Sequence, residues 1–115
     1  MESNRQKKVS RLIQKDLSDI LLSESRKKYS GIMITITQVF VSKDFSFSKI
    51  YLSIFPEKYK TIVFEDIIQN KSSIKHKLSI KLKNQLRKTP ELGFFIDTSL
   101  EHFDKINKIL KDISD

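Results

Sequence analysis

Seven basic side chains, Lys71, Lys75, Lys77, Lys81, Lys83, Arg87 and Lys88, stand between Lys71 and Leu92, and no acidic residue interrupts them before Glu91. Ile74, Leu78, Leu82 and Leu86 recur through the same stretch at four-residue spacing. That pattern predicts a helix buried along one stripe and cationic over much of the rest. On such a helix Lys77, Lys81 and Lys88 border the stripe on one side and Lys83 and Arg87 on the other. Lys75 falls within the apolar sector and must run its aliphatic stem outward. Crowded cations repel one another at low salt, and a solvated face ordinarily mixes signs, so contact with phosphate is favoured over simple solvation. Contacts of this kind position a protein on nucleic acid without reading its sequence.

Catalytic chemistry has few candidates. His76 lies among lysines and His102 opens the last predicted helix, and neither has a nucleophile or a metal-ligand spacing beside it. Cysteine is absent, which removes disulfides, thiolate metal sites and a cysteine nucleophile. With Gly31 and Gly93 as the sole glycines, no glycine-rich phosphate loop can form. Glu65 and Asp66 are adjacent and so point to different parts of a helix surface. No enzyme, metal or cofactor is expected.

The formal charge is +8, from 22 Lys and Arg against 14 Asp and Glu. This favours polyanionic partners, nucleic acid first and an anionic membrane surface second. At 115 residues the chain has the length of one domain, 1–115. Its charged N-terminus, MESNRQKKVSRLIQKD, lacks a secretory apolar segment, and no stretch is apolar for the roughly 18 residues of a membrane span. A soluble, cytoplasmic monomer is the expectation.

The elements that must position these cations follow from periodicity. Residues from about Ser3 to Tyr29 read as a helix, with Ser3 or Asn4 as N-cap and Val9, Leu12, Ile13, Leu17, Ile20 and Leu21 on one face. Arg5, Lys7, Lys8 and Arg11 crowd its first turns, the unfavourable end of the dipole for cations, where a solvated basic end and a phosphate contact are both open. Ile32 to Val41 reads as a strand whose apolar parity changes near Thr37-Gln38, through a bulge or because both faces are covered. Ser46 to Phe55 alternates with Ile50, Leu52 and Ile54 inward, and so short a connection implies an antiparallel hairpin. Its outward Tyr51, with Phe45 and Phe47, either packs on neighbours or offers stacking platforms. Pro56 is placed at the first position of a helix running through Ile62, Val63, Ile67 and Ile68. Asn70 to Ser73 breaks that helix, and the basic helix then runs until Thr89-Pro90 closes it. Leu92 to Ile96 is a short strand, and Asp97, Thr98 or Ser99 caps a last helix carrying Phe103, Ile106, Ile109, Leu110 and Ile113. The layout is α+β, with a small sheet covered on one face by helices.

Set side by side, these segments resemble the bacterial ribosome-binding factor A family. The opening helix with QKKVSRLIQKDLSDIL, the strand Gly31-Ile32-Met33-Ile34-Thr35-Ile36-Thr37, the hairpin Val41-Ser42-Lys43-Asp44-Phe45-Ser46 with Lys49-Ile50-Tyr51-Leu52-Ser53, and the block Arg87-Lys88-Thr89-Pro90-Glu91-Leu92 with Phe95, Asp97, Ser99 and Glu101 carry the resemblance in order. It implies a type II KH-like domain, α-β-β-α-kink-α-β with a C-terminal helix over residues 100–115. It also implies a non-catalytic assembly factor that binds the small (30S) ribosomal subunit and assists late maturation of 16S rRNA, with ribosomal proteins as further neighbours. The family's central helices meet at an Ala-x-Gly kink. Here Lys71-Ser72-Ser73 stands at that place, departing at both small positions, and the stretch from there to Pro90 is one residue longer. Serine can still support a kink through side-chain bonds to backbone.

The expected RNA-binding set is therefore Lys71, Ser72, Ser73, Lys75, Lys77, Lys81, Lys83, Arg87 and Lys88, joined by Lys43 in the hairpin and by Arg5 and Lys8 in the first helix. A KH loop that clamps single-stranded backbone requires glycines, which this region lacks, so a broad cationic surface against folded RNA is expected. The alternative is a protein-interaction adaptor that docks an acidic partner on its basic face or pairs an exposed strand edge.

Overall fold

The structure, a computed structural model, describes residues 2–98. The first helix, α1, spans Asn4–Lys28 and is opened by a reciprocal capping box. Ser3 Oγ accepts from the Gln6 backbone N–H at 3.1 Å, and Gln6 Oε1 accepts from the Ser3 N–H at 2.8 Å. Val9, Ile13, Leu17, Ile20 and Leu21 are buried at the expected three- and four-residue steps. The helix ends at Lys28 with Tyr29 as its C-cap, and Gly31, at φ +81°, supplies the left-handed geometry of the turn that follows.

Strands β1 (Met33–Val41) and β2 (Phe47–Phe55) form the antiparallel hairpin. The change of parity in β1 is a bulge: Ile36 faces Leu52 and Gln38 faces Tyr51, leaving Thr37 unpaired. Ile36 lies on one side of the bulge and Val39 and Val41 on the other, so all three reach the core. In β2, Ile50, Leu52 and Ile54 point inward as predicted. Strand β3 (Glu91–Ile96) lies parallel to β2, with Phe47 opposite Glu91 and Leu52 opposite Ile96, so the sheet order is β1-β2-β3.

Two helices link β2 to β3, and here three expectations are corrected. Pro56 does not start a helix. Its ψ of 153° is extended, and it precedes a 3₁₀ turn over Glu57–Tyr59, so helix α2 spans Lys60–Gln69. Val63 and Ile67 are buried on it, whereas Ile62 and Ile68 face solvent. The break between helices falls at Asn70, inside the expected 70–73 span, and not at Lys71-Ser72-Ser73, where the resemblance sets the kink. Asn70 alone leaves helical geometry, at φ −97° and ψ 13°, and its side-chain amide donates to Asp66 O at 2.8 Å. Ser72 and Ser73 are exposed in the first turn of α3 (Lys71–Leu82), where no small residue is required.

The third correction is the end of α3. It stops at Leu82, whose carbonyl accepts from both Gln85 and Leu86 N–H. Ile74, Leu78 and Leu82 form the buried stripe, but Leu86 packs against the core from the connecting segment. The reason is tertiary. Thr89 and Pro90 are buried, and Glu91 must donate to Ser46 O at the start of β2, while four more helical residues would carry the chain about 6 Å further along the helix axis. Helices α1 and α3 share the inner face of the sheet with Leu92 and Phe94. The predicted C-terminal helix over 100–115, with Ser99 of its three cap candidates and with His102, lies outside the described residues.

Candidate nucleic-acid interface

The tertiary structure sorts the predicted cations into groups with different surroundings. Lys75 runs outward from α3 and donates to Glu91 Oε1 at 2.5 Å, which holds the Glu91 carboxyl below its ordinary range. Lys77 pairs with Glu24 on α1, and Lys28 adds a second contact to the same carboxylate at 3.7 Å. The bond from Lys77 is the main cause of the lowered Glu24 pKa. Lys81 stands in a shallow groove with Asp19, Glu24, Lys27 and Lys77, where both signs of charge alternate. The outer side of α3 is thus a mixed-sign surface.

A different seam has no such balance. Arg5, Lys8, Arg11 and Lys15, at steps of three and four along the first half of α1, line a groove of about 630 Å³ together with Val9, Leu12, Gln85 and Leu86. No carboxylate is among its lining residues. Val9, Leu12 and Leu86 give it an apolar floor, and the four cations form its rim. None of the four makes an ion pair among the described residues. Gln85 and Leu86 belong to the segment 83–88 that follows α3, in which Lys83, Arg87 and Lys88 are exposed. Lys71 is half-buried in the first turn of α3, with Ser72 and Ser73 exposed beside it.

The hairpin turn closes one end of this seam. Gln6, buried, donates through Nε2 to Val41 O at 2.9 Å and so fixes the start of α1 to the end of β1. Arg5 stacks its guanidinium 5.0 Å from the centroid of Phe45. Phe45 has φ 60°, an uncommon value for a residue with a Cβ, and its half-buried ring packs on the core. Asp44 Oδ1 accepts from Ser42 Oγ at 2.8 Å and from Ser46 Oγ at 2.7 Å, which sets the turn and leaves Lys43 exposed at its tip.

Geometry therefore sets Arg5 and Lys8 in a groove shared with Gln85 and Leu86, which lie in sequence between the exposed Lys83 and Arg87, and sets Lys75, Lys77 and Lys81 near carboxylates. Arg11 and Lys15 belong to the groove although neither is in the expected set. The signal that could have found them is the series 5, 8, 11, 15, which follows the apolar stripe at helical spacing. His76 is exposed on α3. Among the described residues, no group of three or more His, Cys, Asp or Glu is disposed to hold a metal ion, and no helix is long and apolar enough to cross a membrane.

An α-β-β-α-α-β chain with helices on one face of a mixed three-stranded sheet, and with a one-residue break between its central helices, defines a type II KH-like domain. Residues 5–110 match the family model of ribosome-binding factor A. The chain belongs to the ribosome-binding factor A family. It is 47% identical over 111 residues to ribosome-binding factor A of Christiangramia forsetii, covering 96% of this chain and 85% of that protein. It is 35% identical over 114 residues to that of Cytophaga hutchinsonii, covering 99% and 86%. The fold is similar to the crystal structure of ribosome-binding factor A from Thermus thermophilus, with a TM-score of 0.64 at 16% identity over 79% of this chain and 94% of that one. A solution structure of a Thermotoga maritima protein described as a putative ribosome-binding factor A gives a TM-score of 0.62 at 25% identity, covering 83% and 89%.

Proposed function

We propose that this chain is a non-catalytic, cytoplasmic assembly factor that binds the small ribosomal subunit as a monomer and assists late maturation of 16S rRNA. Its contact with folded RNA runs through the seam between the first half of α1 and the segment 83–88, rather than through the outer side of α3. Membership of the ribosome-binding factor A family supports the ribosomal partner. A homology model of Thermus thermophilus ribosome-binding factor A has been fitted into an electron cryomicroscopy map of a complex of that factor with the 30S subunit, which supports the choice of subunit.

The observation that carries the seam is the groove of Arg5, Lys8, Arg11 and Lys15, which has no carboxylate in its lining. Phosphates entering it meet cations that need not first release a protein carboxylate, whereas Lys75 and Lys77 must give up Glu91 and Glu24. Because the contacts are to backbone charge, the binding is shape-dependent and salt-sensitive.

Sedimentation with small subunits at two salt concentrations tests this. Replacing Lys8, Arg11 and Lys15 by Gln should lower the slope of log K against log salt by roughly 0.7–0.9 per cation removed and leave the thermal melt in place. Undiminished binding by that variant removes the seam from the interface. Binding that survives nuclease treatment of the partner favours a protein adaptor instead.

A further inference from the structure

The face of the sheet turned away from the helices carries a row of aromatic rings that the cationic seam does not use. On this face stand Phe40 from β1, Phe47 and Tyr51 from β2 and Phe95 from β3. Phe40 and Tyr51 lie edge to face with centroids 6.0 Å apart, and Tyr51 and Phe95 lie 5.6 Å apart at 30°. Phe40 and Phe95 remain 41% and 42% exposed, so they are not core residues. Lys49 stands in the middle of the row. The register sets it opposite Phe40 on one side and Gly93 on the other, with Phe47 and Tyr51 two residues away on its own strand. It is exposed and makes no ion pair among the described residues.

We propose that this face is a second nucleic-acid surface, on which unpaired bases stack against Phe40, Tyr51 and Phe95 while Lys49 engages the phosphate between them. The proposal rests on the RNA-binding reading above and extends it from folded RNA to a single strand. The central lysine selects the occupant. An apolar protein face would bury its ammonium without a counter-charge, which is costly. A second copy packed about a two-fold axis would bring the two Lys49 side chains toward each other, because such an interface uses the same patch twice. A single strand supplies both π-faces and an anion.

The face is also continuous with the seam. Arg5 rests on Phe45 in the hairpin turn, Lys43 is exposed in the same turn, and Phe47 begins β2 with its ring laid over Gly93. A strand leaving the groove past Arg5 therefore meets Lys43, then Phe47 and Lys49. Two carboxylates border that route: Asp44 is engaged by Ser42 and Ser46, and Glu91, opposite Phe47 in the register, is engaged by Lys75.

The full chain has no tryptophan, so Phe95→Trp places a single emitting reporter on the face. A short oligoadenylate and an abasic strand of equal length are titrated against the parent, the Trp variant and Phe40→Ala/Phe95→Ala. The expected result is quenching of the Trp by the base-bearing strand, with that strand bound about tenfold tighter than the abasic one. In the double alanine variant the ratio falls toward one while abasic binding is unchanged, and Phe40→Tyr/Phe95→Tyr keeps the parental ratio. Equal binding of the two strands by the parent, or an unaltered ratio in the alanine variant, overturns the stacking surface. Binding of the abasic strand that is lost in Arg11→Gln/Lys15→Gln reports on the seam separately, so the seam can stand when stacking fails.

Discussion

The ammonium of Lys77 donates to Oε1 of Glu24, joining the middle of α3 to the last turns of α1 across 53 positions of sequence. This bond turns a lysine that looks like part of an RNA-binding rail into a strut between two helices. The pair is partly exposed, so its contribution is modest, about 0.2–1 kcal/mol. Lys77→Met should lower stability by no more than that in urea unfolding and change small-subunit binding less than twofold. A loss of binding comparable to that of the Lys8, Arg11, Lys15 variant would return Lys77 to the interface.

Gln6 does two things at once, closing the capping box of α1 and satisfying the carbonyl of Val41 from a buried position. Gln6→Ala leaves that carbonyl without its donor and removes half of the cap. The expected cost is about 2 kcal/mol, measured as a shift of the denaturation midpoint at constant slope. Gln6→Glu restores the cap but not the donor, and should recover only part of the loss.

Asp44 gives the hairpin turn a pH dependence of known sign. The hydroxyls of Ser46 and Ser42, followed by the Ser46 backbone N–H, lower its pKa from 3.8 to about 2. A folded pKa below the unfolded one means that the contribution is complete above about pH 3.8 and is lost as pH falls through about 2. Carboxyl-detected NMR should show Asp44 titrating well below the ordinary aspartate value of 3.8. Asp44→Asn should flatten the stability profile between those two values.

Gly93 lies beneath the ring of Phe47, whose Cζ would stand 2.6 Å from a Cβ added there. That atom is the far end of a partly exposed side chain, so the ring can swing away. Gly93→Ala should cost about 1 kcal/mol and expose Phe47, and Gly93→Ala combined with Phe47→Ala should show a coupling energy of the same order. Additive effects would mean that the ring is not seated on the glycine.

Much of the fold is legible in the sequence because its signals are local. The apolar steps from Val9 to Leu21, the cap at Ser3, the parity change at Thr37 and the alternation around Ile50 each depend on neighbours within a few residues. The same local reasoning places the helix break within Asn70 to Ser73, which contains the observed residue, but it cannot choose among the four and it runs α3 on toward Pro90. It fails there for two reasons. Asn70 alone supplies the break, through its bond to Asp66, and the burial of Pro90 and the pairing of Glu91 with Ser46 require the helix to end at Leu82.

The candidate site is legible only in part. Sequence by itself determined that the chain is cationic, that its helices have one apolar face each, and that no glycine loop or cysteine chemistry is available. Those are properties of composition and period. Only the tertiary structure decided which cations lack a counter-charge among the described residues, because the carboxylates that neutralise Lys75 and Lys77 come from Glu91 and Glu24, distant in sequence. It likewise decided that Arg11 and Lys15 share a groove with Leu86 and that Phe40, Tyr51 and Phe95 form one row. Charge balance and aromatic alignment are set by strand register and helix packing, which a one-dimensional pattern does not contain.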